Sequence, residues 1–207
     1  MAETSARDAK LIQYLNEAYG KEKELETSLE AHIAMTTRAP YKKRLQEHLK
    51  ETKGHSRQLE KRIKQIGGRD AVSELASVVT SAASRAAALA KGPLHAIRGT
   101  SEPEKMLKNA KTEYWNEFEE IATYRAIETL ADTVGDAETA KLARGIRREE
   151  ERMAKFLEGQ IPQLTKGVAR EEIPASERRR SGTTTRRARA TRARANGNRA
   201  RGRSRSK

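Results

Sequence analysis

Four stretches of this chain carry apolar residues at three- and four-residue steps, and in each the apolar stripe is broken near its middle by glutamate. Leu11, Leu15, Ala18, Tyr19, Leu25, Leu29 and Ile33 mark the first, with Glu22 on the same face. Tyr41, Leu45, His48, Leu49, Thr52, His55, Leu59, Ile63 and Ile66 mark the second, which turns polar between Leu49 and Leu59, where Glu51 and His55 stand one turn apart. Leu107, Ala110, Tyr114, Ile121, Tyr124, Ile127, Leu130 and Val134 mark the third, with Glu117 and, one turn on, Glu120. Ala143, Ile146, Met153, Leu157, Ile161 and Leu164 mark the fourth, with Glu150 between Ile146 and Met153. This spacing is that of one face of an α-helix, so the pattern predicts an all-α fold. A carboxylate inside such a face must be paired, protonated or metal-bound, because an isolated buried charge is too costly to keep.

The boundaries between the stretches are equally readable. Arg38-Ala39-Pro40 separates the first two helices, since proline is best tolerated in a first helical turn, and Gly67-Gly68 stops the second. Ser101-Glu102-Pro103-Glu104 has the form of a capping box with an early proline. Gly135-Asp136 ends the third helix and caps the fourth, a loop short enough to make them antiparallel. Pro162 marks the end of the fourth helix or a kink in it. The Ala- and Ser-rich segment from Asp70 to Gly99 predicts one or two short helices in a long crossover, the connection that parallel neighbours require. The expected organisation is a four-helix bundle over residues 1–170 followed by a disordered basic tail over 171–207.

Composition narrows the chemistry. There is no cysteine, which excludes disulfides, thiolate zinc sites, iron–sulfur clusters and thiol nucleophiles. No run of about 18 apolar residues and no apolar leader is present, so the expectation is a cytoplasmic protein with no membrane partner. The net charge of +14 is unevenly placed: from Ser176 to Lys207 there are 12 Arg and one Lys against Glu177, and the rest of the chain is almost balanced. The basicity therefore belongs to the tail.

Glu22, Glu51, Glu117 and Glu150, at matching depths in four helices, with His55 and Glu120 beside them, have the composition of a two-metal carboxylate site inside a bundle. Oxygen-rich ligation with little nitrogen and no sulfur suits two iron ions, with manganese as the alternative metal. His48 is expected as a ligand, beside the site or as a satisfied core histidine, and His32 and His95 at the surface or in packing. The competing reading is a non-enzymatic architectural or nucleic-acid-binding helical protein whose core carboxylates are ion-paired.

Leu15-x3-Tyr19-x2-Glu22-x2-Leu25, His48-Leu49-x-Glu51-Thr52-x-Gly54, Glu117-x2-Glu120-Ile121-Ala122-x-Tyr124 and Glu149-Glu150-Glu151 occur in this order. Together, from about Lys10 to Leu164, they resemble the YciE/YciF family of ferritin-like proteins. The resemblance implies a ferritin-like bundle, a homodimer, a rubrerythrin-like di-iron site and a role in stress protection by oxidising ferrous iron with dioxygen or peroxide. It would make Glu22 the first-helix ligand, Glu51 a bridging carboxylate, Glu117 and Glu120 the third-helix pair and Glu150 the fourth-helix ligand, with His48 and Tyr124 supporting them. The sequence departs from the ferritin-like Glu-x-x-His spacing at Gly54 and Met153, and His55, four residues after Glu51, is the nearest substitute.

The tail is a polycation: Arg178, Arg179, Arg180, Arg186, Arg187, Arg189, Arg192, Arg194, Arg199, Arg201, Arg203 and Arg205. With no aromatic side chain to stack on bases, it predicts non-specific attraction to the phosphates of DNA or RNA, and hence association with the nucleoid.

Overall fold

The computed structural model describes residues 5–67 and 101–178. Among them are four helices and no strand: α1 (Ala6–Met35), α2 (Ala39–Gly67), α3 (Glu102–Thr133) and α4 (Ala137–Glu172). The chain divides into two compact units, Met1–Val168 and Ala169–Lys207. The first holds the bundle. In the second, the described residues finish α4 and close in a turn, with Glu177 N–H donating to the Pro174 carbonyl at 3.0 Å. The predicted crossover helices and all tail arginines after Arg178 lie outside the described residues.

Helix ends follow local chemistry. The Ser5 hydroxyl accepts from the Asp8 N–H at 3.1 Å to cap α1, and Ser101 does the same for Glu104 N–H at 3.3 Å to cap α3. Gly135 takes φ 77°, a left-handed conformation that suits glycine, and turns the chain into α4. Asp136 then accepts from the Thr139 N–H at 3.0 Å and is gripped through both oxygens by Arg62 of α2 at 2.7 Å. Pro162 neither ends α4 nor appears at its boundary: the helix runs on to Glu172. The position is exposed, so the carbonyl that loses its partner can turn to water.

Two apolar clusters fix the helix directions. One gathers Ile12, Leu15 and Tyr19 of α1, Leu59 and Ile63 of α2, Tyr124 and Ile127 of α3, and Ala143 and Ile146 of α4. The other gathers Leu29, then Tyr41 and Leu45, then Met106 and Ala110, then Met153, Leu157 and Leu164. Moving up the sequence, α1 and α4 run from the first cluster to the second, whereas α2 and α3 run from the second to the first. Thus α2 and α3 are parallel, the arrangement of a bundle with one crossover. Among the described residues, no helix is long and apolar enough to cross a membrane.

Candidate metal centre

Between the two apolar clusters the core is polar. Glu22, His48, His55, Glu113, Glu117, Glu120 and Glu150 are each buried, at most 2% exposed. They reach this layer because each is a heptad-like continuation of its helix's inward face: Leu15, Ala18, Glu22, Leu25, Leu29 on α1, and Tyr41, Leu45, His48, Thr52, His55, Leu59 on α2. On α3 the inward series is Met106, Ala110, Glu113, Glu117, Glu120, Tyr124, Ile127, and on α4 Ala143, Ile146, Glu150, Met153, Leu157.

Two groups of ligand-type atoms converge there, Glu22 with His55 and Glu150, and His48 with Glu117 and Glu150, every atom in a group within 4.8 Å of the others. Glu150 belongs to both. His55 Nδ1 lies 2.9 Å from Glu150 Oε1 and 3.3 Å from Glu22 Oε1. Nδ1 is thus paired electrostatically with both carboxylates, although neither approach is aligned as a hydrogen bond. His48 Nε2 is hydrogen-bonded to Glu117 Oε1 at 3.1 Å and stands 3.7 Å from Glu150 Oε2. The Tyr124 hydroxyl donates to Glu22 Oε1.

Buried polar atoms are normally satisfied. Here Glu22 Oε2, Glu117 Oε2, Glu120 Oε1 and both oxygens of Glu150 have no hydrogen-bond partner. Nor does any described Lys or Arg form an ion pair with these four carboxylates, whose close partners are imidazoles and a phenol. The electrostatics carry the same strain. Burial pushes the Glu22 carboxyl up, against the pull of His55. Burial carries Glu117 up to about 8, although His48 opposes it, and lifts Glu120 well above the carboxylate range with help from Glu22 and Glu150. Glu150 alone is lowered, because His55 and His48 outweigh its burial. Burial would lower His55, but Glu150 and Glu22 hold it up to about 11. Without a cation the layer must keep protons; with one, the oxygens and Nδ1 that no hydrogen bond satisfies gain a partner. Carboxylate and imidazole donors of this kind suit a divalent metal, and the buried His/Glu groups could hold a metal ion.

A family model described as "Domain of unknown function (DUF892)" matches residues 6–170. The chain belongs to the DUF892 family. A protein of Xanthomonas campestris pv. campestris known from a crystal structure is similar in fold, with a TM-score of 0.62 at 23% identity over 80% of this chain and 98% of that one.

Within this DUF892 chain the residues singled out by sequence fall unequally. Glu22, His55, Glu117 and Glu150 come together, and Glu120 and Tyr124 are buried in the same layer. Glu51 does not join them. Its side chain is 29% exposed and accepts from Arg44 at 2.9 Å, with His48 Nδ1 at 3.2 Å. Position 52 rather than 51 continues the inward series of α2, so Glu51 falls to the margin, where Arg44 and His48 hold its carboxyl near 2 despite partial burial. The shared carboxylate is Glu150, from α4. Of the places expected for His48, the structure puts it among the converging groups. Of the two places expected for His32, surface or packing, it takes the second: it is buried and hydrogen-bonded to Glu113, a further inward carboxylate of α3. Glu113 stands one turn before Glu117, and it, rather than its half-buried neighbour Tyr114, continues the inward face. His95 lies outside the described residues.

Proposed function

We propose that the chain is a ferritin-like di-metal protein that oxidises ferrous iron with dioxygen or peroxide in a stress-protective role. The observation that carries this reading is the convergence around Glu150 of buried carboxylate oxygens and of His55 Nδ1, none of them satisfied by a hydrogen bond. Glu22, His55 and Glu150 would hold one metal and His48, Glu117 and Glu150 the other, with Glu120 as a further oxygen donor in the layer. Iron in that position supplies electrons to an oxidant.

The chain's own residues do the rest. Tyr124 donates to Glu22 Oε1, the oxygen 3.3 Å from His55 Nδ1, and Oε2 is left without a hydrogen-bond partner. Glu51, itself fixed by Arg44, engages Nδ1 of His48 and so leaves Nε2 facing Glu117 and Glu150. The clusters above and below exclude water from the layer. Nucleic acid bound by the Arg-rich tail is part of the same proposal, as is a homodimer; Trp115 and Phe118, 73% and 50% exposed on α3, are the apolar surface a second copy would cover.

Anaerobic loading with ferrous iron, followed by oxidant, tests the metal reading. The wild-type chain should bind about two metals and oxidise iron faster than buffer does. Glu22→Ala combined with Glu117→Ala should abolish oxidation while nucleic-acid binding persists. An architectural protein with ion-paired carboxylates would bind no metal in either form, and that result would reject the proposal.

A further inference from the structure

The polar layer is sealed by apolar clusters along the bundle, so a hydrated cation needs a lateral route. A cavity of about 290 Å³ opens between α2 and α4, lined by His55, Gln58, Leu142, Gly145, Ile146 and Glu149 among others. His55 is the residue common to this cavity and to the buried groups. Its Nδ1 faces Glu22 and Glu150, and its Nε2 is hydrogen-bonded to Glu149 Oε2 at 2.8 Å. The ring is 1% exposed, whereas the side chain of Glu149 is 37% exposed. Carboxylate, imidazole and carboxylate thus follow one another from surface to core. One turn before Glu149, Gly145 adds no side chain to the wall, and a methyl group built there would meet nothing within 4 Å. Both rim carboxylates have basic neighbours, Glu138 bound by Arg62 at 2.6 Å and Glu149 Oε1 lying 3.5 Å from Arg152, and Lys141 also lines the cavity; Glu149 is the one whose other oxygen reaches the buried imidazole.

We propose that this α2–α4 cavity is the port through which a divalent cation reaches the buried centre, with Glu149 as its receiving carboxylate and His55 as the ring that must be released. The inference rests on the metal-binding reading above. A cation captured by Glu149 competes for the oxygen that holds His55 Nε2, so its arrival frees the imidazole that stands between the cavity and the inner carboxylates. Gly145 keeps the approach wide, and Glu149 offers the arriving cation an oxygen ligand at the mouth.

Stopped-flow absorbance with cobalt(II), using the full-length chain, separates the rate of uptake from the final amount bound. Gly145→Leu places a bulky side chain in the cavity and is expected to slow uptake on the order of tenfold, a single decade of added barrier, with unchanged final stoichiometry. Gly145→Ala, whose methyl group is unopposed, should keep the wild-type rate. Glu149→Lys, a substitution at a partly exposed site that does not depend on filling the cavity, should slow uptake by roughly tenfold or more at low salt and less at high salt. Wild-type uptake rates in both Gly145→Leu and Glu149→Lys, with cobalt still bound, would overturn the port and leave the metal centre standing. No cobalt bound by the wild-type chain would overturn the metal centre and the port with it.

Discussion

Glu150 is the one side chain that both groups need, and this makes it the sharpest single-residue test. Glu150→Gln keeps the volume but removes the shared charge, so bound metal should fall from about two per chain to less than one. Glu51→Gln, made at a marginal position, should leave stoichiometry unchanged and weaken only the hold on His48. Elemental analysis of the two variants after identical loading checks both outcomes. Protons give a second handle. Burial carries Glu117 to about 8, and Glu150 and Glu22 carry His55 to about 11, so near neutral pH the metal-free layer holds protons that a cation must displace. Metal binding should therefore release protons, and affinity should rise as pH increases through about 8. A pH-indicator assay in weak buffer measures the release, and pH-independent affinity would contradict it. The burial of Glu22, Glu117, Glu120 and Glu150 was legible because each sits on a long apolar stripe. The choice between Glu51 and His48 was not: the two are three residues apart, a single helix pattern admits either, and only the neighbouring helices decide which one turns inward.

Among the helices, the ends were the most legible parts, because caps are local chemistry. Ser101 with Glu104, and Gly135 with Asp136, announce α3 and α4 before any packing is known. The exit of α4 was less so. Whether proline stops a helix depends on whether the carbonyl it orphans can reach water, which is a property of the exposed face around Pro162 and not of the residue itself. Asp136 does more than cap. It ties the start of α4 to α2 through Arg62, and although its burial opposes ionisation, Arg62 and the Thr139 N–H hold its carboxyl down to about 2. The folded value lies below the ordinary one of 3.8, so this stabilisation is fully present above pH about 4 and is lost as pH falls through about 2. After allowance for solvent screening it is worth on the order of 1 kcal/mol. Asp136→Ala should lower stability at neutral pH by about 1–2 kcal/mol, cap included. Urea unfolding of variant and wild type at pH near 7 and near 2 should show the gap narrowing in acid; an equal gap at both would mean that the carboxylate charge contributes nothing.

At the scale of the molecule, periodicity fixes how many helices there are, but not which core residues meet. The parallel course of α2 and α3 follows from which side chains share the two apolar clusters, and the number of residues between them is enough for such a connection. Assembly is a question for the outer surface. If a second copy covers Trp115 and Phe118, Trp115→Glu should shift the sedimentation of the protein from dimer to monomer without changing bound metal. The tail is read from charge alone. Its 12 arginines, with Lys207 and against Glu177, concentrate nearly all of the net +14 at one end, while the bundle's own charges almost cancel. If roughly half of those arginines engage phosphates, log affinity for duplex DNA should fall with log salt with a slope of about −5 to −6. Removal of residues 176–207 should abolish that binding, because no comparable excess of positive charge remains in the rest of the chain. The truncated protein should still take up metal, since every residue of the two buried groups precedes the cut. Filter binding over a salt series, run beside metal analysis on the same preparations, measures both. DNA binding that survives the truncation would move the contact onto the bundle, and loss of metal with the tail would mean that the two parts of the chain do not act independently.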